Sequence, residues 1–177
     1  MTGAAPIIVT ALLGDADLAW ADGLRRAHFP PERNVLRAHL TLFHHLPPSG
    51  LDELRRLLMR EVRSTVTPAA RVARLLSLGR GVAFGVDSPG LAAIRSRIAE
   101  AFGPMLTPQD RAGWRPHITV QNKVTPAEAR ELMAELSKTF EPRPLRIDGL
   151  SAYWYRGGPW ESIGDWRFTR SGRPPRS

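Results

Sequence analysis

Hydrophobic and polar positions alternate between two periods along the chain, and each change of period marks a new element. Ile7 to Leu13 is a β-branched apolar run that predicts a strand, followed by Asp15 as a cap and a helix to about Ala27. Arg37 to Phe43 predicts a second strand. Ser49, with Asp52 three residues on, opens a helix that carries Leu51, Leu54, Leu57 and Leu58 along one face. Arg71 to Leu78 closes this series as a strand, and Gly79-Arg80-Gly81 reads as a turn.

The series then begins again. Val82 to Val86 is a strand, and Ser88-Pro89 caps a helix with Leu91, Ile94, Ile98 and Phe102 on its apolar stripe. Arg115 to Gln121 is the central strand of this second series. Thr125 with Glu128 makes a capping box, Pro126 takes the first helical position, and the helix runs to about Phe140. Leu145 to Tyr155 and Trp160 to Phe168 are strands joined through Arg156-Gly157-Gly158-Pro159 as a hairpin. The two longer joins, Phe29 to Leu36 and Gly103 to Trp114, each precede the central strand of their series. The pattern is a duplication, and two similar units side by side place a site along their shared groove.

Composition bounds the chemistry. The chain has 177 residues, 42% hydrophobic and 24% charged, which is ordinary globular composition for one domain or two small lobes. It contains no cysteine, which removes disulfides, thiolate nucleophiles, zinc ribbons and iron–sulfur clusters and suits a reducing cytoplasm. No apolar run approaches the roughly 18 residues of a membrane helix, and no positive charge precedes Ile7-Ile8-Val9 as a secretory signal requires. The net charge is +8. Arg167, Arg170, Arg173 and Arg176 account for half of it, in a stretch whose end, 170–177, is expected to be a basic disordered tail. A basic surface favours anionic partners such as nucleotides or RNA.

The two central strands repeat a motif. Arg37-Ala38-His39-Leu40-Thr41-Leu42 and Arg115-Pro116-His117-Ile118-Thr119-Val120 both read Arg-x-His-apolar-Thr-apolar. Five His and ten Thr in such a chain give about 0.3 His-x-Thr triplets by chance; two occur here, at matching places. On a strand, His39 and Thr41 share one face while Leu40 and Leu42 point into the core, and the same holds for His117 and Thr119 over Ile118 and Val120. A pseudo-twofold axis would turn both pairs toward one groove. One imidazole can then act as base and the other as acid at neutral pH, with the hydroxyls donating to phosphate oxygens. No Asp or Glu lies in either strand segment, and threonine is a poor transition-metal ligand, so a metal site built from His39, His44, His45 and His117 is disfavoured.

These paired motifs and the duplicated strand–helix order resemble the 2H phosphoesterase superfamily, the 2′-5′ RNA ligase-like and cyclic phosphodiesterase proteins, over about Ile7 to Phe168. The resemblance implies an α+β fold of two strand–helix–strand–helix–strand units, with antiparallel sheets lining a central cleft. It implies one domain over 1–169, with lobes of about 1–80 and 81–169. It implies hydrolysis of a 2′,3′-cyclic phosphate or related diester on a nucleotide or RNA end, without metal or other cofactor. By that likeness His39 and His117 are the acid/base pair and Thr41 and Thr119 hold the phosphate. Microscopic reversibility makes 2′-5′ ligation available to the same groups. A non-catalytic RNA- or nucleotide-binding module is the alternative. Arg37, Phe43, Arg115 and Tyr155 are further candidates for substrate contact: the arginines and Phe43 by strand parity, Tyr155 as one of the aromatics of the closing hairpin; the alternatives are solvent-exposed edge arginines and core packing for Phe43 and Tyr155. Sequence does not say which histidine is the base, because pseudo-symmetry makes them interchangeable.

Overall fold

The computed structural model describes residues 4–172. The strands are β1 (Ile7–Leu13), β2 (Leu40–Leu46), β3 (Ala70–Ser77), β4 (Val82–Asp87), β5 (His117–Gln121), β6 (Arg143–Leu145), β7 (Ile147–Trp154) and β8 (Glu161–Arg167). The helices are α1 (Asp15–His28), α2 (Leu51–Ser64), α3 (Pro89–Phe102), the short α4 (Pro108–Arg111) and α5 (Pro126–Ser137). The α+β class and the twofold element order are as the pattern predicts. Ser88 and Thr125 cap α3 and α5 as expected, the latter in a complete capping box. The N-cap positions of α1 and α2 fall instead on Gly14 and Gly50, neither of which offers a side chain.

All eight strands join one antiparallel sheet in the order β6-β3-β4-β5-β2-β1-β7-β8. The order shows how the repeats interlock. Each repeat keeps its first two strands together, but the third strands are exchanged: β3 pairs with β4 of the second repeat, and β7 pairs with β1 of the first. The sheet therefore divides into β1, β2, β7, β8 and β3, β4, β5, β6, with strand pairing running across the boundary near residue 80.

The halves meet at one bridge, Leu40 opposite Ile118, between β2 and β5. Leu40, Leu42, Ile118 and Val120 are fully buried, as the alternation requires. α1 packs on β5, and α5 packs on β3 and β4. α2 covers β7 and β8 and contacts α3. Beyond β8 the chain is still placed: the Arg170 carbonyl accepts from Thr67 N–H at 2.8 Å and its guanidinium donates to the Ser64 carbonyl. Arg170 is thus not part of a disordered tail, and 173–177 lie outside the described residues.

Candidate active site

The Leu40–Ile118 bridge brings the two motifs together. In an antiparallel pair with that register, His39 lies opposite Thr119 and Thr41 opposite His117, all four on the face opposite to that of the buried Leu40 and Ile118. They line one cleft of about 520 Å³. Both imidazoles are held alike. His39 Nδ1 lies 2.7 Å from the Arg37 carbonyl and His117 Nδ1 lies 2.8 Å from the Arg115 carbonyl. A carbonyl only accepts, so each Nδ1 carries its proton and each Nε2 is left for the cleft.

Side chains from the opposite repeat hold the motif backbones. Trp114 Nε1 donates to the Thr41 carbonyl at 3.0 Å, and Arg25 Nη1 donates to the Thr119 carbonyl at 3.0 Å. Asp22, on α1, accepts from the Ala38 N–H and from Arg37 Nε, fixing the approach to His39. Trp160 tilts against the His39 ring at 4.6 Å between centroids.

Burial and nearby positive charge act together on His39. Desolvation pushes the His39 pKa down to about 4, and the positive ends of Arg25, His117 and His44 push the same way against the Arg37 carbonyl bond. His39 is therefore neutral at pH 7, with a free lone pair on Nε2. The Arg25 guanidinium is itself lowered by burial, offset in part by Asp22, and it stacks on the Phe29 ring at 4.3 Å. Among the described residues no three His, Asp or Glu side chains converge in a group able to hold a metal ion.

The structure brings Arg115 to the cleft rim, where it also lines an adjoining cavity of about 650 Å³. Tyr155, 44% exposed, lines another adjoining cavity of about 380 Å³ that shares His39, Thr119 and Trp160 with the cleft. Two of the further candidates lie elsewhere. Arg37 points outward and pairs with Asp22 at 3.0 Å, because its strand begins only at Leu40 and the strict alternation does not extend back to it. Phe43 is fully buried. Between Thr41 and Phe43 the β1–β2 register slips by one residue, a bulge that turns Phe43 inward and presents His44 instead.

His44, Arg95 and Asp110 are the residues that strand parity does not find. His44 and Arg95 line the cleft, and Asp110 sits beneath His44 with no side-chain exposure. Arg95 interrupts the apolar stripe of α3 and Arg25 that of α1. Those two breaks in helical periodicity are the available sequence signal.

Fold, register and paired imidazoles together define a two-histidine phosphoesterase architecture. The family model for the 2′-5′ RNA ligase superfamily matches residues 13–159, and the chain belongs to that superfamily. Among solved structures it is similar to Escherichia coli LigT complexed with 3′-AMP, at 18% identity and a TM-score of 0.62 over 94% of this chain and 99% of that one. TT0787 of Thermus thermophilus gives 16% identity and a TM-score of 0.60, covering 94% of this chain and all of that one. A further crystal structure titled phosphoesterase gives 17% identity and a TM-score of 0.56, covering 94% of this chain and 99% of that one. No curated protein matches the chain. No helix of the described residues is long and apolar enough to cross a membrane.

Proposed function

We propose that the protein is a metal-independent phosphoesterase that opens a 2′,3′-cyclic phosphate, or a related diester, on a nucleotide or RNA end. The observation that carries this is the matched pair of imidazoles, each with Nδ1 committed to a backbone carbonyl and Nε2 free, across a cleft floored by two threonines. A binding module has no need of two free Nε2 positions. His39, neutral at pH 7, takes a proton from water as the oxygen attacks phosphorus. The bond from phosphorus to one ribose oxygen breaks, and protonated His117 delivers its Nε2 proton to that oxygen. The Thr41 and Thr119 hydroxyls donate to the non-bridging oxygens, where charge grows. With the 5′-hydroxyl of an RNA end in place of water, the same ring opening, His39 taking the hydroxyl proton and the 3′-oxygen leaving with the His117 proton, joins the two ends in a 2′-5′ bond.

The relatives support the substrate class, since LigT has been crystallised with 3′-AMP, NADP+, phosphate and ATP. A cysteine-free chain with this activity suits the cytoplasm. The test is incubation with 2′,3′-cyclic mononucleotides and with RNA ending in a cyclic phosphate, in excess chelator. The expected product is a single phosphomonoester, and its absence with every substrate would overturn the reading.

A further inference from the structure

From the residues around His44 and Arg95 we infer a second phosphate-binding subsite in the cleft, which takes a phosphate of the substrate other than the one being opened. It rests on the phosphoesterase reading for its setting and deepens it to a substrate class: a nucleotide with at least two phosphate groups rather than a bare cyclic mononucleoside. One fixed cation, Arg95, and one oriented imidazole, His44, are built here at some structural cost. Asp110 has no exposed side-chain surface, and its carboxylate is wholly engaged. It accepts the His44 and His45 N–H groups, each at 2.9 Å in its shorter contact, and His44 Nδ1 at 3.2 Å. Those bonds outweigh the effect of burial, which raises its pKa, and hold the carboxyl below its ordinary range. With Nδ1 bound to Asp110, the 44% exposed ring of His44 offers Nε2 to the cleft.

Arg95 is fixed just as firmly. Its Nε donates to the Leu42 carbonyl and its Nη2 to the Asp110 carbonyl, both at 2.8 Å. Its guanidinium lies over the Phe43 ring at 4.7 Å and near Trp114 at 5.6 Å. Nη1 has no protein partner among the described residues, and Arg95 lines the same cleft as His39 and His117. A planar guanidinium with its other edges anchored is preorganised to take a phosphate oxygen through that one edge. The opening of a cyclic phosphodiester, with one negative charge, is already served by two hydroxyls and one imidazolium. His44 and Arg95 are surplus to that step, and the anchored guanidinium, with the His44 ring beside it, is met by a further phosphate.

The subsite is tested by binding and by turnover. Calorimetry in chelator compares a nucleoside 3′,5′-bisphosphate with the matching 3′-monophosphate. Kinetics compare kcat/KM for a 2′,3′-cyclic nucleotide with and without a 5′-phosphate, and for a dinucleotide ending in a cyclic phosphate. The wild-type protein is expected to favour the bisphosphate, and the phosphorylated substrates, by about tenfold or more. Preference for the 5′-phosphate alone identifies a terminal group, and preference for the dinucleotide identifies the next link of a chain. His44→Gln and Arg95→Met are expected to bring these ratios to within about twofold of one; His44→Gln keeps the test open if loss of Arg95 prevents folding. A wild-type ratio near one, or ratios that the variants leave unmoved, would overturn the inference. If no cyclic phosphate is opened but the binding ratio behaves as expected, the subsite stands and the catalytic reading falls.

Discussion

Lowering the pH from 7.5 to 4 tests the assignment of His39 as the neutral base. With its pKa at about 4, His39 remains about 97% neutral at pH 5.5; an ordinary imidazole titrating near 6.5 would be about 9% neutral there. A plot of kcat/KM against pH should be bell-shaped, with its acid limb near pH 4, so that turnover at pH 5.5 keeps almost its full value rather than about a tenth of it. Stability carries the same signature. Because the folded chain resists protonation of His39, the unfolded chain takes the proton first as pH falls. Stability is complete above pH 6.5 and is lost between 6.5 and 4, by at most about 1.4 kcal/mol at pH 5.5 and about 3 kcal/mol at pH 4. Since the ring edge facing the cleft still meets water, these are upper values. His39→Asn removes this slope, so urea midpoints of wild type and variant should converge or cross as the pH falls. An acid limb near pH 6.5, with no difference in slope between the two proteins, would refute the desolvated-base assignment.

Thr41→Val and Thr119→Val should each lower kcat/KM by about tenfold or more with the fold intact, because each removes one phosphate donor and spares the imidazoles; silence of both in steady-state assays would make the hydroxyls structural. Exhaustive EDTA treatment should leave activity unchanged, and restoration of a dead chelated protein by zinc or manganese would turn His39 and His117 into ligands. Gly81→Ala should destabilise by about 1–3 kcal/mol in thermal unfolding, since a Cβ there would lie 2.0 Å from the Gln121 carbonyl at the end of β5; an unchanged Tm would contradict the close β4–β5 approach.

The motif residues were legible because a short strand leaves little freedom. Once Leu40 and Ile118 are core, His39, Thr41, His117 and Thr119 must share the other face. The same reasoning failed two residues later at Phe43, since a bulge cancels parity and no sequence signal marks it. The duplicated element order was legible from periodicity, whereas the exchange of β3 and β7 was not, because periodicity says which face a strand buries and nothing of which strand lies beside it. Arg25 and Arg95 were hidden for a related reason. A helix stripe shows that a position faces inward, and only the three-dimensional structure shows the Thr119 and Leu42 carbonyls waiting there.

The division of labour between His39 and His117 is the central claim, and substitution of the leaving atom tests it most directly. In a 2′,3′-cyclic substrate with sulfur in place of the departing ribose oxygen, the leaving thiolate needs no proton. His39→Ala and His117→Ala should each lower turnover of the oxygen substrate by about 10²–10⁴-fold. On the sulfur substrate His117→Ala should recover most of that loss, while His39→Ala should recover none. Equal losses for His117→Ala on both substrates, or rescue of His39→Ala instead, would contradict the account.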